Sequence, residues 1–71
     1  MSEVIPINQI QIGNTINTLV GYTITVVGIE IKKINQWSTP YYELTVYNNI
    51  DDSKKEYKKK YAFNDYVTLV K

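Results

Sequence analysis

With 71 residues and no cysteine, the chain has room for one domain (residues 1–71) and no disulfide or thiolate metal site to brace it. Eight Lys against seven acidic residues leave a formal charge of +1, too little for a long-range pull on phosphate or membranes. Histidine is also absent, so the usual general base and the usual thiol nucleophile are both missing, and enzymatic chemistry is not expected.

Residues 1–10 lack the basic start and apolar core of a secretory leader, and no long apolar run exists. The cytoplasm is therefore the expected compartment, with no membrane partner. Strand-forming Val, Ile, Thr and Tyr dominate, and alanine occurs once, at Ala62. The abundance of Asn, Ile, Lys and Tyr also fits AT-rich coding DNA, so residue usage alone is not evidence of function.

Along the chain, residues 4–12 (VIPINQIQI) alternate like a strand at Ile10 and Ile12, while Pro6 confines any pairing there to an edge or a start. Gly13-Asn14 reads as a turn, residues 15–20 as a short strand, and Gly21 as the bend into a long strand. That strand changes phase at Gly28. Tyr22, Ile24 and Val26 share one face before it, and Ile29 and Ile31 follow after it, the signature of a β-bulge or of a break between two strands.

Residues 22–48 form the organising hairpin. Its loop is expected at residues 35–40 (NQWSTP), and facing pairs are expected at Ile31–Leu44, Ile29–Val46 and Lys33–Tyr42. The other face then carries Lys32 opposite Glu43, Glu30 opposite Thr45 and Ile34 opposite Tyr41, with Glu30 and Glu43 in solvent. Residues 48–53 are a loop. Residues 57–63 alternate as a strand, although Ser53 with Glu56 and Tyr57 with Tyr61 also suit one or two helical turns. After the turn at Asn64-Asp65, residues 67–70 close the sheet. The expectation is an all-β domain, a small five-stranded SH3-like barrel with a long bent central hairpin, with an OB-like barrel as the alternative.

Residues 26–34 (VVGIEIKKI), 41–49 (YYELTVYNN) and 61–71 (YAFNDYVTLVK) resemble segments of small SH3-like β-barrel proteins of phages and mobile elements of AT-rich bacteria. The resemblance is a pattern of β-residues and one glycine. It implies a fold and a setting in which some such proteins bind and inhibit host defence enzymes in the host cytoplasm. It carries no functional residue.

Among the remaining routes to chemistry, Ser2, Ser38 and Ser53 have no imidazole to activate them. Asp51-Asp52 lacks the alternating ligands of a calcium loop, and Gly13, Gly21 and Gly28 are too far apart to cradle phosphate. No catalytic residue, metal or cofactor is expected. Binding is better represented. Ile34, Trp37 and Tyr41 at the hairpin tip, with Lys32 at the rim, form a candidate protein contact, because Trp and Tyr dominate interface hot spots. The competing reading folds Trp37 back over the open end of the barrel. Lys54, Lys55, Tyr57, Lys58, Lys59, Lys60 and Tyr61 form the alternative, a surface for single-stranded nucleic acid. A lysine-guarded sheet edge explains the same residues. A protein partner leads, nucleic acid follows, and self-association is the third expectation.

Overall fold

The computed structural model describes residues 2–18 and 20–70; Met1, Leu19 and Lys71 lie outside the described residues. It contains six strands: β1 (Ser2–Pro6), β2 (Thr15–Asn17), β3 (Thr23–Lys32), β4 (Tyr41–Asn48), β5 (Glu56–Ala62) and β6 (Tyr66–Val70). They form one antiparallel sheet in the order β1-β6-β2-β3-β4-β5. The all-β expectation holds, but the strand count is six rather than five. The sheet is not closed; β1 and β5 are its edges.

The extra strand comes from the start of the chain. Instead of the alternation at Ile10 and Ile12, Ser2–Pro6 pairs with β6 as an edge and ends at the proline, where a missing N–H costs least. A short 3-10 turn (Ile7–Gln9) follows, and it drops Ile7 into the core, fully buried between Ile5 and Ile10. The Ile7 N–H donates to the Asp65 carbonyl at 2.8 Å, tying this turn to the one before β6. Ile12, by contrast, is exposed. The strand expected over residues 15–20 is realised as β2, with Leu19 outside the described residues. Gly13 and Gly21 take φ of 96° and 91°, the left-handed region that the turns on either side of β2 require.

Inward-facing Ile16, Ile24, Val26, Leu44, Val46, Val67 and Leu69 pack with Ile5, Ile7 and Ile10 into one core. The sheet curves strongly. Lys59 and Tyr61 of β5 line the same cavity as Ile16 of β2 and Val67 of β6, although β5 and β6 stand at nearly opposite ends of the strand order. The connection between them is also short, from Ala62 to Tyr66 through a turn closed by Asp65 N–H to the Ala62 carbonyl at 3.1 Å.

The central hairpin has the expected faces but not the expected register. Ile29 faces Leu44 and Ile31 faces Tyr42, a slip of two residues from the sequence expectation. An even slip keeps every side chain on its face, because the strand period is two, so burial alone does not specify it. Lys32 accordingly faces Tyr41, Glu30 faces Glu43 rather than Thr45, and Ile34 leaves the ladder for a loop that spans residues 33–40. The bulge is where the glycine predicted it, with the register shifting between Val26 and Gly28. Space beside Gly28 is tight. A Cβ at this position would stand 3.2 Å from the Thr45 Cβ and 3.3 Å from its Oγ1.

The segment expected over residues 57–63 forms a strand, β5, and not helical turns, but it runs over Glu56–Ala62 and leaves Phe63 in the turn that follows. Ser53 does not cap a helix; its N–H and hydroxyl both donate to Asp51 Oδ1, at 3.0 and 2.7 Å. Those bonds hold the Asp51 carboxyl below the usual carboxylate range and commit it to the turn.

Candidate functional site at the hairpin tip

The β3–β4 loop is built around Asn35. Its side-chain Oδ1 accepts the Trp37 N–H at 2.9 Å, its N–H donates to Ser38 Oγ at 3.1 Å, and its carbonyl accepts the Ser38 hydroxyl at 3.0 Å. Asn and Ser are suited to such self-bonded turns, because their short polar side chains replace missing backbone partners. The bonds fix a turn that points Trp37 into water, where it is 85% exposed. The reading in which Trp37 folds back over the sheet is therefore excluded.

Trp37 has apolar company. Ile34 is 82% exposed and Ile31 62%, because the hairpin runs past the end of the core and leaves its inner face uncovered. Tyr41 is half-buried. It lines, with Ile34, Thr39, Pro40, Ala62 and Phe63, a groove of about 450 Å³, which adjoins a second of about 250 Å³ bounded by Ile34, Tyr41, Lys60, Tyr61 and Ala62. Of the expected site residues, Ile34 and Tyr41 thus meet in one groove, and Trp37 projects from the turn beside it. Sequence reasoning missed Ile31, Pro40 and Phe63. Phe63 stacks on Tyr42 with centroids 6.5 Å apart, so its ring is both anchored and half in water. An aromatic residue directly beside the polar Asn64-Asp65 turn was the available signal.

Lys32 is not a free rim cation. Its Nζ lies 2.9 Å from Glu43 Oε1 and 3.8 Å from Glu30 Oε2. Hydrogen bonding to Glu43, aided by the charges of Glu43 and Glu30, raises the Lys32 pKa; the same bond holds the Glu43 carboxyl below its ordinary value. Glu43, expected in solvent, is in fact buried. It sits on the outer face of the middle strand of β3, β4 and β5, with Glu30 on one side and Lys60 on the other. Two carboxylates directly opposite one another repel, and the Lys32 ammonium between them offsets that repulsion. Lys58 adds a longer contact to Glu30 at 3.5 Å.

The alternative site is divided by the strand period. Tyr57, Lys59 and Tyr61 pair with Val46, Leu44 and Tyr42 and share the inner face, whereas Lys58 and Lys60 pair with Thr45 and Glu43 on the outer one. Lys60 lies over the Tyr41 ring at 5.6 Å, Lys59 over Tyr61 at 5.8 Å, and Lys54 over Tyr47 at 5.8 Å; Lys55 is exposed in the preceding loop. The Tyr57 hydroxyl donates to Asn48 Oδ1 at 2.7 Å, and burial beside Tyr22 raises its pKa. Tyr61 packs against the core, and burial pushes its hydroxyl up to about 12. The run therefore offers no single stripe of lysines along which a phosphate backbone could lie.

Among the described residues no helix is long and apolar enough to cross a membrane. Compared with protein-family models, with curated proteins and with solved structures, the chain finds no match.

Proposed function

We infer that this chain is a non-enzymatic binding module that acts by protein–protein contact through the tip of the β3–β4 hairpin. The observation that carries this reading is the exposure of Trp37 and Ile34 on a loop held by its own hydrogen bonds, with Ile31 exposed at the end of β3 that leads into it. Hydrating that much apolar surface on an ordered loop is unfavourable, and a partner removes it from water at little cost in loop entropy. The grooves beside Tyr41 and Phe63 give a partner's side chains somewhere to go, and Lys60 supplies a charged rim. In the SH3-like reading, β2 to β5 form a meander, β6 returns to β2, and β1 is an added edge. In the setting that the sequence resemblance implies, the partner is a host defence enzyme that this surface inhibits.

The test is capture from lysate with three immobilised proteins: wild type, Trp37→Ser with Ile34→Ser, and Lys58→Ser with Lys55→Ser. A specific partner retained by wild type and the lysine variant, and lost from the tip variant, supports the reading. Loss from the lysine variant alone moves the contact to the alternative surface. Concentration-dependent sedimentation of wild type that the tip variant abolishes makes the partner a second copy.

A further inference from the structure

Strand β5 is the longer of the two edges of the sheet. It runs over Glu56–Ala62 without proline, glycine or bulge, and among the described residues it pairs only with β4. The other edge, β1, is shorter and ends at Pro6. Along a strand, neighbouring residues turn their N–H and C=O to opposite sides. Ala62 fixes which residues of β5 turn outward. Its N–H donates to Asp65 Oδ2 at 3.2 Å and its carbonyl accepts the Asp65 N–H at 3.1 Å, so both point away from β4. By the same parity Lys60, Lys58 and Glu56 direct their backbone groups away from β4, and no strand among the described residues meets them. All three residues are exposed.

The side chains on this edge are selective. Lys58 and Lys60 stand on the outer face, and Lys59 stands on the inner face between Tyr57 and Tyr61. Lys58 makes its 3.5 Å contact with Glu30, whereas Lys59 and Lys60 are in no ion pair among the described residues. The one acid of the strand, Glu56, is at its start. Lysines on an edge discourage pairing with an uncharged or basic strand, because their ammonium groups would lose water or be repelled. They also disfavour a second copy, since antiparallel pairing of β5 with itself about residue 58, 59 or 60 sets lysine against lysine. A strand that carries carboxylates meets neither obstacle.

We propose that the edge of β5 over residues 56–60 takes an extended acidic segment of another protein as an added strand. The backbone of that segment pairs with the outward N–H and C=O groups of Lys58 and Lys60. Its carboxylates lie beside the ammonium groups of the same two lysines, and its alternate residues lie beside Tyr57, which is exposed, and Tyr61, which is half-buried. Main-chain bonds supply the affinity, and the lysines choose the partner. This inference is independent of the protein contact at the hairpin tip, because it uses a strand edge and Trp37 projects from a different loop.

The experiment is a titration of the ¹⁵N-labelled chain with an N-acetylated, C-amidated peptide of about eight residues alternating Glu and Val, followed by amide shifts and amide exchange. Saturable shifts over residues 56–60, with Trp37 unmoved, are expected, and added salt weakens them. The decisive mark is alternation. The Lys58 and Lys60 N–H groups become protected from exchange on binding, while those of Tyr57, Lys59 and Tyr61 are already bonded to β4. Lys60→Gln lowers affinity about two- to fivefold, as loss of an exposed ion pair implies. Lys58→Pro removes an outward N–H and no bond to β4, and it lowers affinity about tenfold below Lys58→Gln while the rest of the spectrum stays folded. The same peptide with its backbone nitrogens methylated leaves the chain itself intact and loses about as much. Binding without new protection at Lys58 and Lys60, equal affinity for a peptide of Lys and Val, or no saturable shift up to about 10 mM overturns the proposal. A single-stranded oligonucleotide that binds the same residues more tightly overturns it too, by making the edge a phosphate site. So does protection of the same amides that rises with the concentration of the chain alone, which makes the occupant a second copy.

Discussion

Replacing Trp37 by alanine separates an interaction residue from a core residue by magnitude alone. With 85% of its surface in water, Trp37 hides little of what a large aromatic can bury. Of the roughly 250 Å² available to such a side chain, only about 40 Å² leaves solvent. At 25 cal/mol per Å² that area is worth about 1 kcal/mol. A buried tryptophan would instead cost about 3–5 kcal/mol on truncation, which equals the roughly 3–5 kcal/mol that a core of this size supplies in total. Urea unfolding of wild type and Trp37→Ala, followed by far-ultraviolet circular dichroism, decides between the two. A midpoint lowered by no more than about 1 kcal/mol is expected, with the wild-type indole emitting like a hydrated ring and readily quenched by acrylamide. A loss of 3 kcal/mol or more, or a blue emission that reddens only on unfolding, would refute the reasoning, because Trp37 would then be holding the fold together.

Three further outcomes follow from the geometry. Gly28→Ala is expected to lower stability by about 1–2 kcal/mol, since the new Cβ crowds Thr45 at the bulge; a double-mutant cycle with Thr45→Gly should show favourable coupling, and an unchanged or raised urea midpoint contradicts it. Glu43 has its pKa lowered in the fold, so its contribution is present above the ordinary 4.5 and is lost as pH falls through the lower folded value. Lys32, with its pKa raised, contributes fully below 10.5 and loses that contribution as pH rises through the higher folded value. Glu43→Gln should therefore flatten the acid limb of a stability-versus-pH curve, and a limb as steep as wild type would contradict the pairing. Tyr61, neutral in the fold up to about 12, contributes stability that is complete below 10.0 and fades as pH rises toward 12. Absorbance titration should show one late tyrosinate that disappears in Tyr61→Phe; seven tyrosines titrating together would rule this out.

How far the sequence reached depended on what each signal encodes. Alternation assigned the inner faces of β3 and β4 correctly, because parity is what burial selects. It left the even slip between Ile31–Leu44 and Ile31–Tyr42 open, and that slip is tied to the longer loop organised by Asn35 and Ser38. Gly28 marked the bulge because a phase change and a missing side chain coincide there. Pro6 correctly pointed to an edge, but the strand it ends is short, and only its partner β6 identifies it. Burial of Glu43 was not readable from charge. It arises because the middle strand of three is covered from both sides by long side chains. At the tip, Trp37 and Ile34 were legible as apolar residues in a polar loop. Pro40 borders the groove as the chain neighbour of Tyr41, and Phe63 joins it through the β4–β5 pairing that sets Ala62 opposite Tyr41, a long-range partner that no local pattern carries.

The central claim, that Trp37 is the anchor of a protein contact, is tested most directly with the chain labelled at its only tryptophan as 5-fluorotryptophan. One ¹⁹F line then reports one position, free of any tryptophan in the partner. On addition of the captured partner, the account predicts that this line shifts and broadens and loses its sensitivity to exchange of H₂O for D₂O as the site saturates. A line that keeps its position and solvent sensitivity while co-sedimentation shows the partner bound would place the contact elsewhere and contradict the account.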